Sequence, residues 1–265
     1  MPRKYFGAQS TYYINHLSFT FCLNTKGENR LDVIIDFISQ VESTLLAVAK
    51  QPVAGEAKTR LCPPLTPQQS ASLYECFLRD TLDVMREVKE VGRVVCYLKE
   101  DSRGYFERLA PDFELRCQRG ASLGERLDHV LAESLDNGAE RAVVMDSDSP
   151  SLPSEYVSRA FDLLNAADVV LGPSEDGGYY LIGMKAPQSH LLRDVEMSTT
   201  HVLTDTLRLA ASSGLKVATL PKWYDVDTAD DLLRLERELA SAEGNGPAPA
   251  TRRWLMEWGR GVTGR

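Results

Sequence analysis

The sequence predicts an α/β fold, with a mostly parallel central sheet and helices on both of its faces. From Thr44 onward, short apolar runs of strand length alternate with longer segments of helical period. The runs "TLLAVAK" (44–50), "RVVCYLK" (93–99) and "RAVVMDSD" (141–148) are hydrophobic enough for strands buried on both faces. Each helical segment between them is long enough for a right-handed crossover joining parallel strands.

Residues 1–42 precede this alternation and read as an N-terminal extension without evident chemistry. "YINHLSFTFCLN" is apolar and aromatic, "TKGENR" breaks it, and "LDVIIDFISQVES" suits a helix. The regular domain spans 43–241. After the first strand comes a loop, then "TPQQSASLYECFLRDTLDVMREVKEVG" as a helix. There Thr66 is the expected N-cap, Pro67 takes the first helical position, and Gln69 completes a capping box. Leu73, Phe77, Leu78, Leu82 and Met85 recur at helical spacing, and Gly92 is expected to close the element. The second strand is 93–99, and "SLGERLDHVLAESLDNG" is a helix ending at Asn137-Gly138. After the third strand, "SLPSEYVSRAFDLLNA" is a helix. "DVVLGPS" and "GGYYLIGM" are strands around a glycine-rich link, "TTHVLTDTLRLAASSG" is a helix, "KVATLP" a strand and "DTADDLLRLERELASAE" a closing helix. Residues 242–265 read as a flexible linker, "GNGPAPA", and a short terminal segment, "TRRWLMEWGR".

Hydrophobic residues at 43% and charged residues at 26% are ordinary for a soluble globular domain. A net charge of −8 argues against a nucleic-acid binder. No apolar stretch approaches the roughly 20 residues that span a bilayer, and "MPRKYFGAQSTYY" lacks the apolar centre of a secretory leader. Five scattered cysteines without CxxC or zinc spacing read as reduced thiols of a cytoplasmic protein. The four histidines form no ligand spacing.

Ligands of such sheets bind beyond the carboxyl ends of the strands, so the loops at 50–60 and 146–150 should face one crevice. "AKQPVAGEAKTRL" puts Lys50, Lys58 and Arg60 in one loop of an acidic chain, with Gly55 allowing a tight turn. Arginine grips phosphate through two nitrogens and lysine supplies a compact charge. The spacing is not GxxxxGK[ST], which excludes a Walker-type loop; a solvated basic loop is the plain alternative. In "VVMDSDSPSLP", Asp146 and Asp148 lie on one face by the period of a strand. Two such carboxylates repel unless one is protonated or a divalent cation joins them. Mg²⁺ or Mn²⁺ shared with nucleotide phosphates fits, and a turn or cap made by Asp148 and Ser149 is the alternative. "GPSEDGGYYLIG" brings Glu175 and Asp176 beside Gly177 and Gly178, where backbone can approach a ligand. One of Tyr179 and Tyr180 should face the site, although a hairpin without function explains the glycines as well. In "KWYDVDTADDL", Asp227 reads as a helix cap, with Thr228 and Asp230, and Asp225 as the better metal ligand.

Together "AKQPVAGEAKTRL", "QRGASLGERL", "DSDSPSLP", "VVLGPSEDGGYYLIG", "MSTTHVLTDTL" and "LPKWYDVDTADDL" resemble, in order and spacing, a family of small bacterial glycosyltransferase-like proteins. The family has the Rossmann-like GT-A fold of nucleotide-diphospho-sugar transferases and is often placed near arsenosugar biosynthesis. The resemblance covers about residues 44–240. A more distant likeness is to 2-phospho-lactate and molybdenum-cofactor guanylyltransferases. The resemblance implies that Lys58 and Arg60, joined by Lys50, touch nucleotide phosphates, and that Gln118, with Glu125 in "QRGASLGER", belongs to a shared motif on the nucleotide side. It implies a metal at Asp148 and Asp225. Asp146 stands where many relatives have glycine. Asp176, Gly177 and Gly178 match a loop expected to hold sugar or acceptor. Ser198 and Thr199 fall where relatives have a tryptophan-serine-threonine run, with Met197 replacing the aromatic.

The expectation that follows is metal-dependent glycosyl transfer from a nucleotide-diphospho-sugar to a small-molecule acceptor, with Asp176 or Glu175 as base. The alternative is nucleotidyl transfer, in which a phosphorylated small molecule attacks a nucleoside triphosphate and pyrophosphate leaves. A third reading, from another class, is a nucleotide-binding protein without catalysis.

Overall fold

The computed structural model describes residues 9–14, 17–22, 42–241 and 246–263. The chain divides into two compact units, Met1–Gln40 and Val41–Arg265. In the first, β1 (Gln9–Ile14) and β2 (Leu17–Cys22) form an antiparallel pair in which Ile14 lies opposite Leu17. The helix expected from residue 31 falls almost wholly outside the described residues.

The second unit is built on a seven-stranded sheet. Its strands are β3 (Ser43–Ala49), β4 (Gly92–Tyr97), β5 (Glu114–Cys117), β6 (Arg141–Met145), β7 (Val169–Pro173), β8 (Tyr179–Met184) and β9 (Val217–Thr219), in the spatial order β5-β4-β3-β6-β8-β7-β9. All neighbours are parallel except β8, which runs antiparallel to both β6 and β7. Alternation along β3 sends Leu45, Ala47 and Ala49 to one core and Leu46 to the other. The first core lies under α1 (Pro67–Glu87), α4 (Ser154–Leu164), α7 (Ala229–Ser241) and α8 (Pro249–Thr263). The second lies under α3 (Leu123–Asp136), α5 (His190–Arg193) and α6 (Val202–Ser212). The expected fold class is the observed one. Among the described residues no helix is long and apolar enough to cross a membrane, and Cys62, Cys76, Cys96 and Cys117 are free thiols.

The N-terminus of α1 carries the expected capping box. Thr66 Oγ1 accepts from Gln69 N–H, and Gln69 Oε1 accepts from Thr66 N–H. The other end differs: α1 stops at Glu87, Val88 is already extended, and Gly92 opens β4 rather than closing the helix. The polar stretch after β4 holds two elements the pattern did not resolve, α2 (Arg103–Leu109) and the edge strand β5. In both, few positions are buried, so the apolar signal is diluted. The terminal segment is a docked helix. Asp80 on α1 accepts the N–H groups of Ala250 and Thr251, each at 2.8 Å, and so caps α8, while Trp254 Nε1 donates to Ser72 Oγ at 3.0 Å.

Candidate active site

Four loops meet at the carboxyl edge of the sheet. Those after β3, β6 and β9 leave parallel strands there, and the β7–β8 turn joins them because β8 starts where β7 ends. They enclose a cleft of about 490 Å³ whose wall includes Arg60, Asp146, Asp148, Asp176, Asp225 and Asp227.

The basic loop turns at Gly55, whose φ of +83° suits glycine, and Lys50 Nζ donates to the Glu56 carbonyl at 3.1 Å. Lys58 is itself left-handed, at φ +48°, and its side chain goes inward to lie 2.6 Å from Asp148 Oδ1 and 2.8 Å from Asp227 Oδ1. The ammonium also stands over the Phe77 ring, 5.7 Å from its centroid. Burial by itself would push the Lys58 pKa down; the charges of Asp148 and Asp227 outweigh it and hold the group above its usual range. Arg60 remains exposed at the cleft mouth, with Nη1 3.4 Å from Asp227 Oδ2.

The acidic turn does not continue the strand. β6 ends at Met145, and Asp146 Oδ1 bends forward to accept the N–H of Asp148 at 3.1 Å. Both carboxylates line the cleft, but with different partners: Asp146 accepts a backbone N–H and Asp148 faces Lys58. Asp225 is held by hydroxyls: Ser149 Oγ donates to Oδ1 at 2.7 Å and Ser174 Oγ to Oδ2 at 3.1 Å. Burial raises the pKa of Asp225 to about 6. Burial and then the charges of Asp225 and Asp148 push Asp146 well above the usual carboxylate range. Behind the turn runs a buried chain in which the Lys50 N–H donates to Tyr74 Oη, Tyr74 Oη to Ser147 Oγ, and Ser147 Oγ to the Val48 carbonyl.

Asp227 is not a helix cap. Burial raises its pKa, but Lys58 outweighs that and holds the carboxyl below its usual value. The cap of α7 is made by Thr228 with Asp231, not Asp230: Asp231 Oδ2 accepts the N–H of Asp227 and of Thr228, and Thr228 Oγ1 accepts the N–H of Asp231. Glu175 is likewise committed elsewhere. Arg234 grips both its oxygens, at 2.6 and 3.0 Å, and the hydrogen bond from Arg234 holds its pKa down. That makes Glu175 a poor base, and it lies off the main cleft wall. Asp176 does line the cleft, one oxygen accepting the N–H of Gly178 at 2.9 Å. Gly177, at φ +94°, has no room for a side chain, because a Cβ there would lie 2.1 Å from the Thr200 carbonyl oxygen. This glycine lets the acidic loop close on the turn before α6, which brings Ser198 and Thr199 to the same cleft. Both Tyr179 and Tyr180 line the cleft: the Tyr179 hydroxyl is 3.9 Å from Met197 Sδ, and Tyr180, itself fully buried, donates to the Pro221 carbonyl.

Gln118 does not reach the cleft wall. Its amide nitrogen donates to the Cys96 carbonyl at 2.6 Å and lies 3.4 Å from that of Ala49, bridging the ends of β4 and β3. Glu125 caps α3 with Ser122 and accepts from Ala121 N–H. Sequence reasoning missed the Lys58–Asp227 pair and the apolar part of the cleft, built by Leu123, Leu127, Met197 and Val202. Among the described residues no three or more His, Cys, Asp or Glu side chains are gathered as a metal cage.

Comparison with known proteins places the chain. Residues 81–199 match a family of uncharacterized proteins conserved in bacteria (DUF2064). A protein of Desulfovibrio desulfuricans G20, provisionally described as a nucleotide-diphospho-sugar transferase, is 31% identical. Its crystal structure superposes with a TM-score of 0.78, over 84% of this chain and 97% of that one. The chain belongs to this family. A 2-phospho-L-lactate guanylyltransferase of Methanothermobacter thermautotrophicus is 28% identical over 183 residues, 66% of this chain and 77% of that protein. A 4-diphosphocytidyl-2C-methyl-D-erythritol synthase of Anaerococcus prevotii DSM 20548 shares the fold. It has a TM-score of 0.52 at 14% identity, over 76% of this chain and 99% of that one.

Proposed function

We propose that the protein is a nucleotidyltransferase that joins a nucleoside monophosphate unit from a triphosphate to a phosphorylated small molecule, with release of pyrophosphate. Kinship supports a transferase of nucleotide or sugar, and the guanylyltransferase relative supports the nucleotide. The observation that carries the choice is the kinship with a guanylyltransferase, and the loss of one of the two candidate bases agrees with it. Glycosyl transfer with inversion needs a group to deprotonate an acceptor hydroxyl, and Glu175 is locked to Arg234 with its pKa held down. Nucleotidyl transfer needs no base, since the acceptor phosphate is already an anion. An acceptor phosphate oxygen forms a bond to the α-phosphorus, the bond from that phosphorus to the bridging oxygen breaks, and pyrophosphate takes the electron pair.

Arg60 at the mouth is the side chain that would meet the phosphates first, with Lys58 behind it holding Asp148 and Asp227 in place. A divalent cation fits the site. Burial and neighbouring aspartates raise the pKa values of Asp146 and Asp225, and neither has a cationic side chain as hydrogen-bond partner among the described residues. Asp146 and Asp225 would hold Mg²⁺ or Mn²⁺ together with the substrate phosphates, drawing charge from the leaving diphosphate.

Glycosyl transfer is the second reading. It is favoured by the description of the D. desulfuricans relative and by Asp176, whose other oxygen is open to the cleft as a base. The test incubates the full chain and Mn²⁺ with each nucleoside triphosphate plus a panel of phosphorylated small molecules, and separately with nucleotide-sugars plus polyols. Pyrophosphate formed with one triphosphate supports the proposal. Nucleoside diphosphate formed from a nucleotide-sugar, with no pyrophosphate in the other arm, would replace it with glycosyl transfer. Metal-dependent binding without turnover in either arm would leave a nucleotide-binding protein.

A further inference from the structure

We propose that the second substrate is a phosphate ester with an uncharged, apolar body, and that a slot between the sheet and helices α3 and α6 receives that body. This rests on the nucleotidyl-transfer reading above. The cleft has two chemically different ends. Its polar part holds the aspartates and Arg60. Inward, the wall becomes apolar: Val144 and Ile182 come from the sheet, Leu127 from α3, Val202 from α6, and Met197 from the turn before α6. Leu127 and Val202 are 5% exposed, so this is a lined slot and not a scatter of surface residues. The Tyr179 hydroxyl there is directed at the Met197 sulfur, so its polar tip is already occupied.

Charge decides what such a slot admits. Of the described side chains on the cleft wall, five are aspartates and one, Arg60, is cationic. Lys58 is enclosed behind Asp148 and Asp227. Once Arg60 faces phosphate, a second anionic group on the substrate finds no further cationic side chain on the described cleft wall, where Asp176 also stands. A buried anion without a partner is strongly disfavoured, and a site that repels a competitor discriminates as well as one that attracts its ligand. An alkyl or aryl group instead gains by leaving water. Ser198, on the same wall, offers a hydroxyl to an ester oxygen without adding charge.

The test compares two phosphates of nearly equal size that differ in one group: 2-phospho-lactate, the substrate named for the M. thermautotrophicus relative, and 2-butyl phosphate, in which ethyl replaces carboxylate. Each is titrated calorimetrically into the full chain with Mn²⁺ and a non-reactive triphosphate analogue. Each is then assayed for pyrophosphate release with the natural triphosphates. The expected result is at least tenfold tighter binding of 2-butyl phosphate and a matching preference in kcat/KM. Met197→Lys should shift that preference at least tenfold toward 2-phospho-lactate; the titrations of the unaltered chain stand whether or not this variant folds. Equal or tighter binding of 2-phospho-lactate overturns the inference and leaves nucleotidyl transfer standing. Tighter binding of 2-butyl phosphate without pyrophosphate release keeps the slot assignment and overturns the reaction. Binding of neither overturns both.

Discussion

Replacing Lys58 by methionine isolates the interaction that joins the basic loop to the two acidic loops. Methionine keeps most of the buried stem but removes the ammonium that lies 2.6 Å from Asp148 and 2.8 Å from Asp227 and stands over the Phe77 ring. Stranding a fully buried partner costs about 3–5 kcal/mol. Here the side chains of Asp148 and Asp227 are 39% and 36% exposed, and Arg60 still pairs with Asp227, so water and Arg60 recover roughly half of that. Losing the cation over the Phe77 ring adds about 0.5–1 kcal/mol. The net expectation is a loss of about 2–3 kcal/mol, read from urea unfolding as a lower midpoint at unchanged slope. In a domain of this size that is on the order of 4–10 °C in Tm. Adding Asp227→Asn to the variant should return about 1 kcal/mol, because one stranded charge is then gone. A single-variant loss under about 0.5 kcal/mol, or a second substitution that restores nothing, refutes the claim that these pairs tie the loops together.

Three other outcomes follow from particular contacts. Gly177→Ala should cost about 2–4 kcal/mol in denaturant unfolding, since its Cβ would strike the Thr200 carbonyl at positive φ. Gly178→Ala, whose Cβ would approach only Asp176 Oδ1 at 3.3 Å, should stay within about 1 kcal/mol of the parent. Asp80→Ala leaves two N–H groups of α8 without their acceptor and should cost about 1–2 kcal/mol, with tryptophan fluorescence shifting as Trp254 loosens. Arg86→Gln should lose about 0.5–1 kcal/mol at pH 7, because Arg86 grips both oxygens of Asp112 at 2.9 Å. That hydrogen bond holds the Asp112 pKa below its usual value. The stability it adds is therefore present above the unfolded pKa of about 3.9 and lost as pH falls through the lower folded value. Parent and variant should draw together in stability as pH falls through that folded value.

Much of this arrangement could be read in one dimension because it rests on local rules. The Thr66 box and the apolar spacing of α1 involve neighbours in sequence, as does the exit of loops 50–60 and 146–150 from strand ends. The misreadings fall where a local rule has two uses. A carboxylate just ahead of a helix, such as Asp227, suits a cap as well as a cation, and its partner Lys58 lies 169 residues away. Glu175 beside Asp176 looked equally fit for catalysis until Arg234, 59 residues on, claimed it. Gly177 was read as a place for ligand to approach, yet the backbone that approaches it is Thr200. The half-exposed β5 and α2 escaped because burial on few positions leaves little period to detect.

The three cations that single out the basic loop are mostly spent inside the protein. Lys50 donates to a carbonyl and Lys58 neutralises two aspartates, which leaves Arg60 as the cationic side chain on the described cleft wall, against five aspartates. A polyphosphate entering alone would add negative charge to a negative cleft, and Arg60 is exposed to screening by salt. A divalent cation accompanying it would join the phosphates to Asp146 and Asp225, offsetting the burial and the like charges that raise both pKa values. Nucleotide affinity should therefore fall at least tenfold when the cation is chelated with EDTA, about 1.4 kcal/mol or more. The comparison is made by calorimetric titration of one triphosphate with and without Mg²⁺ at constant ionic strength. Equal affinity in the two titrations would mean that the loop's N–H groups and Arg60 hold the phosphates unaided, and the acidic cluster would then need another explanation.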